Sequence, residues 1–340
     1  MNKMLRDERV TLSHGGGGKA MRDLIQSVFT DVFEPESSED QARLMSDALL
    51  EKGAKLAFTT DSYVVTPVEF PGGDIGKIAV CGTVNDLAVG GAKPLWLSAA
   101  FIIEEGTEIA LLRRIVASMK AEADKAGVKI VTGDTKVVGR GSADQVFITS
   151  SGVGVIPADR DIRADSIQDG DVAIVNGVLG DHGATILAAR GDMMLMSDLQ
   201  SDCAALGHLM EAVCHAVPVR ACRDATRGGI ASSLNEMAEA AGLSIELDET
   251  TLPLRAEVKG TCEILGLDPL YLANEGTLVL FVAPEHADAA LAAMRSVDTG
   301  RDAAIIGRAK AGTPMVTMKT AFGGSRIVDM LVGEQLPRIC

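Results

Sequence analysis

The chain runs to 340 residues, 47% hydrophobic and 23% charged, with a formal net charge of −15. That acid surplus argues against a nucleic-acid binder, which needs Lys and Arg against phosphates, but it leaves room for a nucleotide held by backbone N–H groups and a metal. No apolar run is long enough to cross a membrane and no apolar signal segment opens the chain, so a cytoplasmic protein with no membrane partner is expected.

The first twenty residues are polar and then Gly-rich, reading as an arm or loop. Helical spacing of Met21, Leu24, Ile25 and Val28 predicts a helix over 18–29. A strand is expected over 55–65, then a small-residue helix over 75–92 ending at Gly90-Gly91, and a strand over 94–103. An amphipathic helix over 108–127 stops at Gly127, and strands follow over 128–138 and 145–156. The polar stretch 157–171 is the expected domain boundary. Beyond it, residues 172–177 open the second half, helices are expected around 181–190, 204–215 and 228–241, and strands near 243–247, 277–282, 302–308 and 314–318. Strand and helix mixed in both halves indicate an α/β or α+β architecture of two domains. The expected bounds are 1–156, 157–332 and a tail at 333–340.

"SHGGGGKA" places Gly15, Gly16, Gly17 and Gly18 between His14 and Lys19, just before a helix. Such a backbone can wrap an anion, or it can be a loose arm. It is not a Walker A loop, which needs Gly and Ser or Thr where Ser13 and Ala20 stand. Asp61 at a strand end, Asp86 in a small-residue helix and Asp224 before Gly228-Gly229 could share Mg²⁺, an ion that favours carboxylates and phosphates. Each could equally cap or turn the chain. Asn85 could bind a ligand or cap.

"VTGDTKVV" offers Gly133, Asp134 and Thr135 at a turn, followed by Lys136 among β-branched residues, either solvent-facing or a partly buried cation with a task. Thr226 follows Asp224. Glu275, between Asn274 and Gly276 before an apolar strand, is either a turn acid or a cleft carboxylate whose burial raises its pKa toward base duty. His14, His182, His208, His215 and His286 show no ligand spacing, and most read as surface or capping residues. Five of the six cysteines read as buried or half-buried filler; the sixth, Cys340, ends the chain.

Taken together, "TTDSYVV", "GTVNDLAVGGA", "GDTKVV", "RDATRGG", "NEG" and the terminal Pro337-Arg338-Ile339-Cys340 resemble the HypE family of hydrogenase maturation proteins over about residues 10–340. Several of these motifs also resemble the wider group of ATP-using enzymes that includes aminoimidazole ribonucleotide synthetase and selenophosphate synthetase. The resemblance implies a two-domain fold of that type, with the first domain's mixed sheet used in a homodimer. It implies that HypF carbamoylates Cys340, that ATP with Mg²⁺ then dehydrates the S-carboxamide to a thiocyanate, and that the HypC–HypD complex takes the cyanide for NiFe hydrogenase iron. Glu275 would then be the base and Lys136 a charge stabiliser. His14, the Gly-rich arm, Lys19, Asn85, Gly133, Asp134, Thr135 and Thr226 would lie around the nucleotide, and Asp61, Asp86 and Asp224 would hold the metal. Two rivals remain: a small-molecule ATP-dependent synthetase with an incidental tail, and a carrier without catalysis.

Overall fold

In a computed structural model, residues 7–15, 19–34, 47, 52–191, 198–330 and 339 are described. Gly16, Gly17, Gly18 and Cys340, with the rest of the expected tail apart from Ile339, lie outside them.

Two sheets organise the chain. A short turn of 3-10 helix at Leu12–Gly15 leads to α1 (Lys19–Leu24), a π-helical turn and α2 (Asp31–Phe33). Then come β1 (Lys55–Tyr63), the two-residue strands β2 (Glu69–Phe70) and β3 (Gly73–Asp74), α3 (Ile75–Val89), β4 (Lys93–Glu104), α4 (Ile109–Ala126), β5 (Lys129–Val138) and β6 (Val146–Ile156). The four long strands pair in the order β1-β6-β4-β5, antiparallel except for β4 with β5.

The second half holds β7 (Val172–Val175), α5 (Asp181–Ala189), α6 (Gly207–Ala216), β8 (Ala221–Asp224), α7 (Gly229–Ala241), β9 (Ser244–Asp248) and α8 (Ala256–Leu265). It continues with β10 (Leu278–Val282), α9 (Ala287–Arg295), β11 (Ala304–Lys310), β12 (Met315–Lys319) and β13 (Ser325–Ile327). Its strand order is β13-β12-β9-β11-β7-β10-β8. Leu234 and Met237 of α7 pack one face of this sheet; Leu209 and Val213 of α6, with Ala290 and Met294 of α9, pack the other. The expected α/β architecture is the one found.

Pairing of side chains by row fixes what each face of the first sheet carries, because partners across a ladder point the same way. Asp61, Ser150, Ala99 and Gly133 share the row on the α3 side, as do Tyr63, Ile148, Phe101 and Thr135. The opposite face carries Ser62, Thr149, Ala100 and Asp134, then Ile102 beside Lys136. Phe58 and Leu56 lie on that outward face too and are exposed.

Helix α3 joins the halves. Its sequence is apolar or small almost throughout, so it has no polar stripe to give to water, and it is buried nearly end to end. Asp74 caps it, accepting the N–H of Lys77 at 2.9 Å. One side packs the first sheet and α4; the other reaches β8 and α6. Ile186, Cys203, Ala273 and Ile339 from the second half therefore close the same core as Ile75, Ile78 and Cys81.

Candidate active site

Three acids meet where β1, α3 and β8 converge. Asp61 is exposed, while Asp86 and Asp224 are half-buried. Thr59 Oγ1 donates to Asp86 Oδ2 at 2.8 Å, and Asp61 Oδ1 accepts the N–H of Ser62 at 2.7 Å. Loss of hydration, with the charge of Asp61 adding to it, pushes the Asp86 carboxyl up. The Asp224 carboxyl is pushed up to about 7, first by desolvation and then by Asp86 and Asp61. Three carboxylates crowded at one place suit a divalent cation. They do not form a ready cage: among the described residues no three His, Cys, Asp or Glu side chains close into a metal-holding cluster. Carboxylates without a closed cage suit Mg²⁺, which keeps waters and takes phosphate oxygens beside one or two carboxylates.

Behind the acids lies a dry seam built on the 274–277 turn. Asn274 pins that turn: its Oδ1 accepts Gly180 N–H at 2.7 Å and its Nδ2 donates to Ala225 and Leu272 carbonyls. Asp202 holds it from the other side, accepting the N–H groups of Glu275 and Gly276 and the hydroxyl of Thr277, each at 3.0 Å. A Cβ on Gly276 would stand 1.9 Å from the Asp202 carbonyl oxygen, so only glycine allows this approach.

The turn aims Glu275 inward. Its side chain is 2% exposed and its Oε1 has no hydrogen-bond partner. Burial first, then Asp202 and Asp224, hold its carboxyl well above the usual range. Cys81 and Cys203, buried in the same core, are near enough for its charge to act on them. Asn85 is a strut of the seam: Nδ2 donates to the carbonyls of Ala204 and Glu275, and Oδ1 accepts Leu206 N–H at 2.7 Å. Its amide is fully engaged within the chain, which leaves it no donor for a ligand.

Two histidines depart from the surface or capping reading. His14 is wholly buried, its Nδ1 facing the Thr11 N–H at 3.1 Å and its Nε2 lying 3.3 Å from Asp7. His182, also wholly buried, meets Ser201 Oγ at 2.8 Å through Nδ1 and the Ile339 carbonyl at 2.7 Å through Nε2. His208 and His215 are exposed and His286 is half-buried.

The remaining candidates are spread around this centre. Lys136 bonds Asp134 at 2.6 Å, and both are exposed on the outward face of the sheet. Within one chain the sheet therefore separates Lys136 from Glu275. Thr135 points to the inner face, where Phe29, Phe33, Ala99, Phe101 and Ile130 line a groove of about 170 Å³. At Gly133 a Cβ would sit 2.2 Å from the Ala99 carbonyl oxygen, so that glycine answers to strand packing. Thr226 is half-buried beyond β8, its carbonyl accepting Gly229 N–H at 2.9 Å. The backbones of Gly15 and Lys19 bracket the undescribed glycines of the arm.

Asp202, Ser201 and the role of His182 are what motif reading missed. Asp202 stands 73 positions from Glu275, and His182 157 positions from Ile339. No local pattern links such pairs.

This geometry has close counterparts among known proteins. Residues 39–156 match the model for the AIR synthase related protein N-terminal domain, and residues 168–318 that for its C-terminal domain. Carbamoyl dehydratase HypE of Rhodobacter capsulatus is 73% identical over 338 residues, covering 99% of each chain. A crystal structure of the hydrogenase maturation protein HypE in complex with ATP superposes with a TM-score of 0.91 at 45% identity, covering 97% of this chain and 99% of that one. A HypE–HypF complex gives 0.79 at 44%, covering 91% and 99%. Within the AIR synthase related proteins, this chain belongs to the carbamoyl dehydratase HypE family.

Proposed function

We propose that the chain uses ATP to dehydrate an S-carboxamide on its own Cys340 to a thiocyanate, the source of the cyanide ligand of NiFe hydrogenase iron. One observation supports this reading above the others. A buried carboxyl with an unpartnered oxygen, Glu275, lies in the same seam that receives Ile339, the residue before the terminal thiol. The relative solved with ATP and the one solved with HypF supply the nucleotide and the loading partner. The HypC–HypD complex would receive the cyanide, in the cytoplasm.

The chemistry runs in two halves. The carboxamide oxygen attacks the γ-phosphorus of ATP, ADP leaves with the electrons of the broken P–O bond, and one N–H proton departs. The O-phosphorylated imidate then loses its second N–H proton as C≡N forms, and phosphate leaves with the electrons of the C–O bond. Glu275 takes one proton in each half, passing the first to solvent before it takes the second. A dry, high-pKa carboxylate is a strong base once ionised, and its unpartnered oxygen has no competing donor.

Asp61, Asp86 and Asp224 would hold Mg²⁺, which when bound offsets the charge of the triphosphate. The arm with His14, Gly15, Gly16, Gly17, Gly18 and Lys19 would close over the phosphates, with Gly133, Thr135 and Thr226 around the nucleotide and Asp134, on the outward face, reaching a nucleotide of a second copy. Lys136 acts as a charge stabiliser where the outward face, with exposed Leu56, Phe58 and Ile102, meets a second copy in a homodimer.

The test is the mass of the C-terminal peptide after incubation with HypF, carbamoyl phosphate and ATP. Loss of one water from the S-carboxamide is expected. An S-carboxamide that persists while ATP is present would overturn the reading.

A further inference from the structure

The hydrogen bonds around His182 favour one tautomer. Ser201 Oγ accepts the Cys203 N–H at 3.1 Å, so its own hydrogen is free to point at His182 Nδ1, 2.8 Å away. Nδ1 is then an acceptor. On the far side of the ring, the Ile339 carbonyl can only accept, so Nε2 carries the hydrogen and donates to it over 2.7 Å. Both contacts suit the same neutral imidazole. Burial agrees, pulling His182 down to about 4.

The ring has no freedom to turn away. Phe70 meets it edge-on, with centroids 5.6 Å apart. The next residue, Gly183, donates its N–H to the Ala273 carbonyl at 3.0 Å, tying α5 to the turn that carries Glu275. Ser201 is anchored by donating its N–H to Pro71 at 3.0 Å. On the other side of the hydrogen bond, Ile339 is 3% exposed and belongs to the core of the first half. Cys340 is the next residue in the chain.

We infer that His182, set by Ser201, is a positioning residue that latches the chain end by the Ile339 carbonyl and so presents Cys340 to the seam of Glu275. The inference rests on the proposed dehydration for its purpose, but not for its test. A latch on a backbone carbonyl suits a side chain that changes chemically while it stays docked. The bond reads neither thiol, carboxamide nor thiocyanate, so one grip serves every form of the cysteine. The apolar socket of Ile339 adds affinity, and the hydrogen bond adds the register.

The experiment reads the thiol directly, without ATP or HypF. Full-length protein is labelled with N-ethylmaleimide for graded times, and Cys340 is followed by the mass of its C-terminal peptide. His182→Phe keeps a planar ring but has no donor. His182→Gln returns an amide N–H near the place of Nε2. We expect Cys340 of His182→Phe to label about tenfold faster than wild type, the change expected from one lost buried hydrogen bond. His182→Gln should restore slow labelling. Ser201→Ala, which frees the ring's orientation but leaves Nε2, should fall between, and it decides the matter if His182→Phe does not fold. Equal rates in all folded variants, or His182→Gln as fast as His182→Phe, would overturn the latch.

A second arm uses HypF, carbamoyl phosphate and ATP. There His182→Phe should load at least as fast as wild type yet accumulate S-carboxamide. If wild type itself never loses water while the labelling order holds, the dehydration reading fails and the latch stands.

Discussion

Two acidic regions lie a few side chains apart and behave in opposite ways. Asp61, Asp86 and Asp224 face water or the mouth between the sheets and crowd one another, and the charge of Arg223 offsets only part of the upward push on Asp224. Glu275 and Asp202 sit behind them, where Asp202 spends its oxygens on three donors and Glu275 keeps one oxygen unspent. The first region stores repulsion that a bound cation relieves. The second stores basicity by excluding water. Neither property belongs to a residue type; each comes from what the neighbours leave undone.

The sharpest way to separate the regions is Glu275→Gln. The amide keeps shape and polarity but cannot take a proton. ATP binding should persist, while dehydration of the Cys340 S-carboxamide falls by about 10²–10⁴-fold, the usual worth of a general base. The C-terminal peptide mass against time reads it. Normal turnover would place the base elsewhere and leave the dry region without a chemical task.

Asp202→Ala tests the scaffold under that base. It strips the acceptor from two N–H groups and a hydroxyl at once. Because unsatisfied donors cost more than a hydrogen bond gains, about 3 kcal/mol of stability should be lost, read as a shift in urea midpoint. A midpoint shift near zero would mean that water takes over the Asp202 contacts and that Asn274 and Asn85 suffice to hold the turn.

The dry region also has a pH signature, through His182. Its ordinary value is 6.5 and burial, with Arg190 adding to it, holds it near 4 in the folded chain. Between those values the unfolded chain binds the extra proton, so stability rises with pH there and is lost as pH falls from 6.5 toward 4. The span corresponds to up to about 3 kcal/mol. Denaturant titrations at stepped pH should show this slope in wild type and a shallower one in His182→Gln. An unchanged slope would assign the acid sensitivity to other groups.

How much of this was legible in the sequence follows range of interaction. Helix α4 and the long strands announce themselves by local periodicity, and Glu275 by standing between Asn274 and Gly276 before an apolar strand. Helices α8 and α9 and the short strands β8 and β13 went unread. In "AEVKGTCEIL" a mid-helix glycine and threonine blur the pattern, "ADAALAAMR" owes its apolar face mostly to alanine, and β8 and β13 span only 4 and 3 residues. Lys136 showed its type but not its face, because the face depends on which row of β4 it joins. His182 and Asp202 showed nothing, since each draws its meaning from a residue far along the chain.

The smallest effect falls on the wet region and has the less expected sign. Asp86→Asn keeps an oxygen for the Thr59 hydroxyl but removes one charge from the trio. In the folded chain Asp224 titrates at about 7, far above the ordinary 3.8, so protons bind the folded state more than the unfolded one between those values. Without a divalent cation, the stability linked to Asp224 is therefore present at low pH and lost as pH rises through about 7. Removing the Asp86 charge lowers the Asp224 value and shrinks that loss. In chelator at pH 8, Asp86→Asn should be as stable as wild type or more stable, by less than about 1 kcal/mol given the screening at half-exposed groups. With Mg²⁺ and ATP added, the order should reverse, because wild type alone gains the full stabilisation of a bound ligand. Melting both proteins in both buffers measures it. If Asp86→Asn is less stable in chelator and gains as much as wild type from Mg²⁺ and ATP, Asp86 is a structural acid and the wet region does not bind the cation through it.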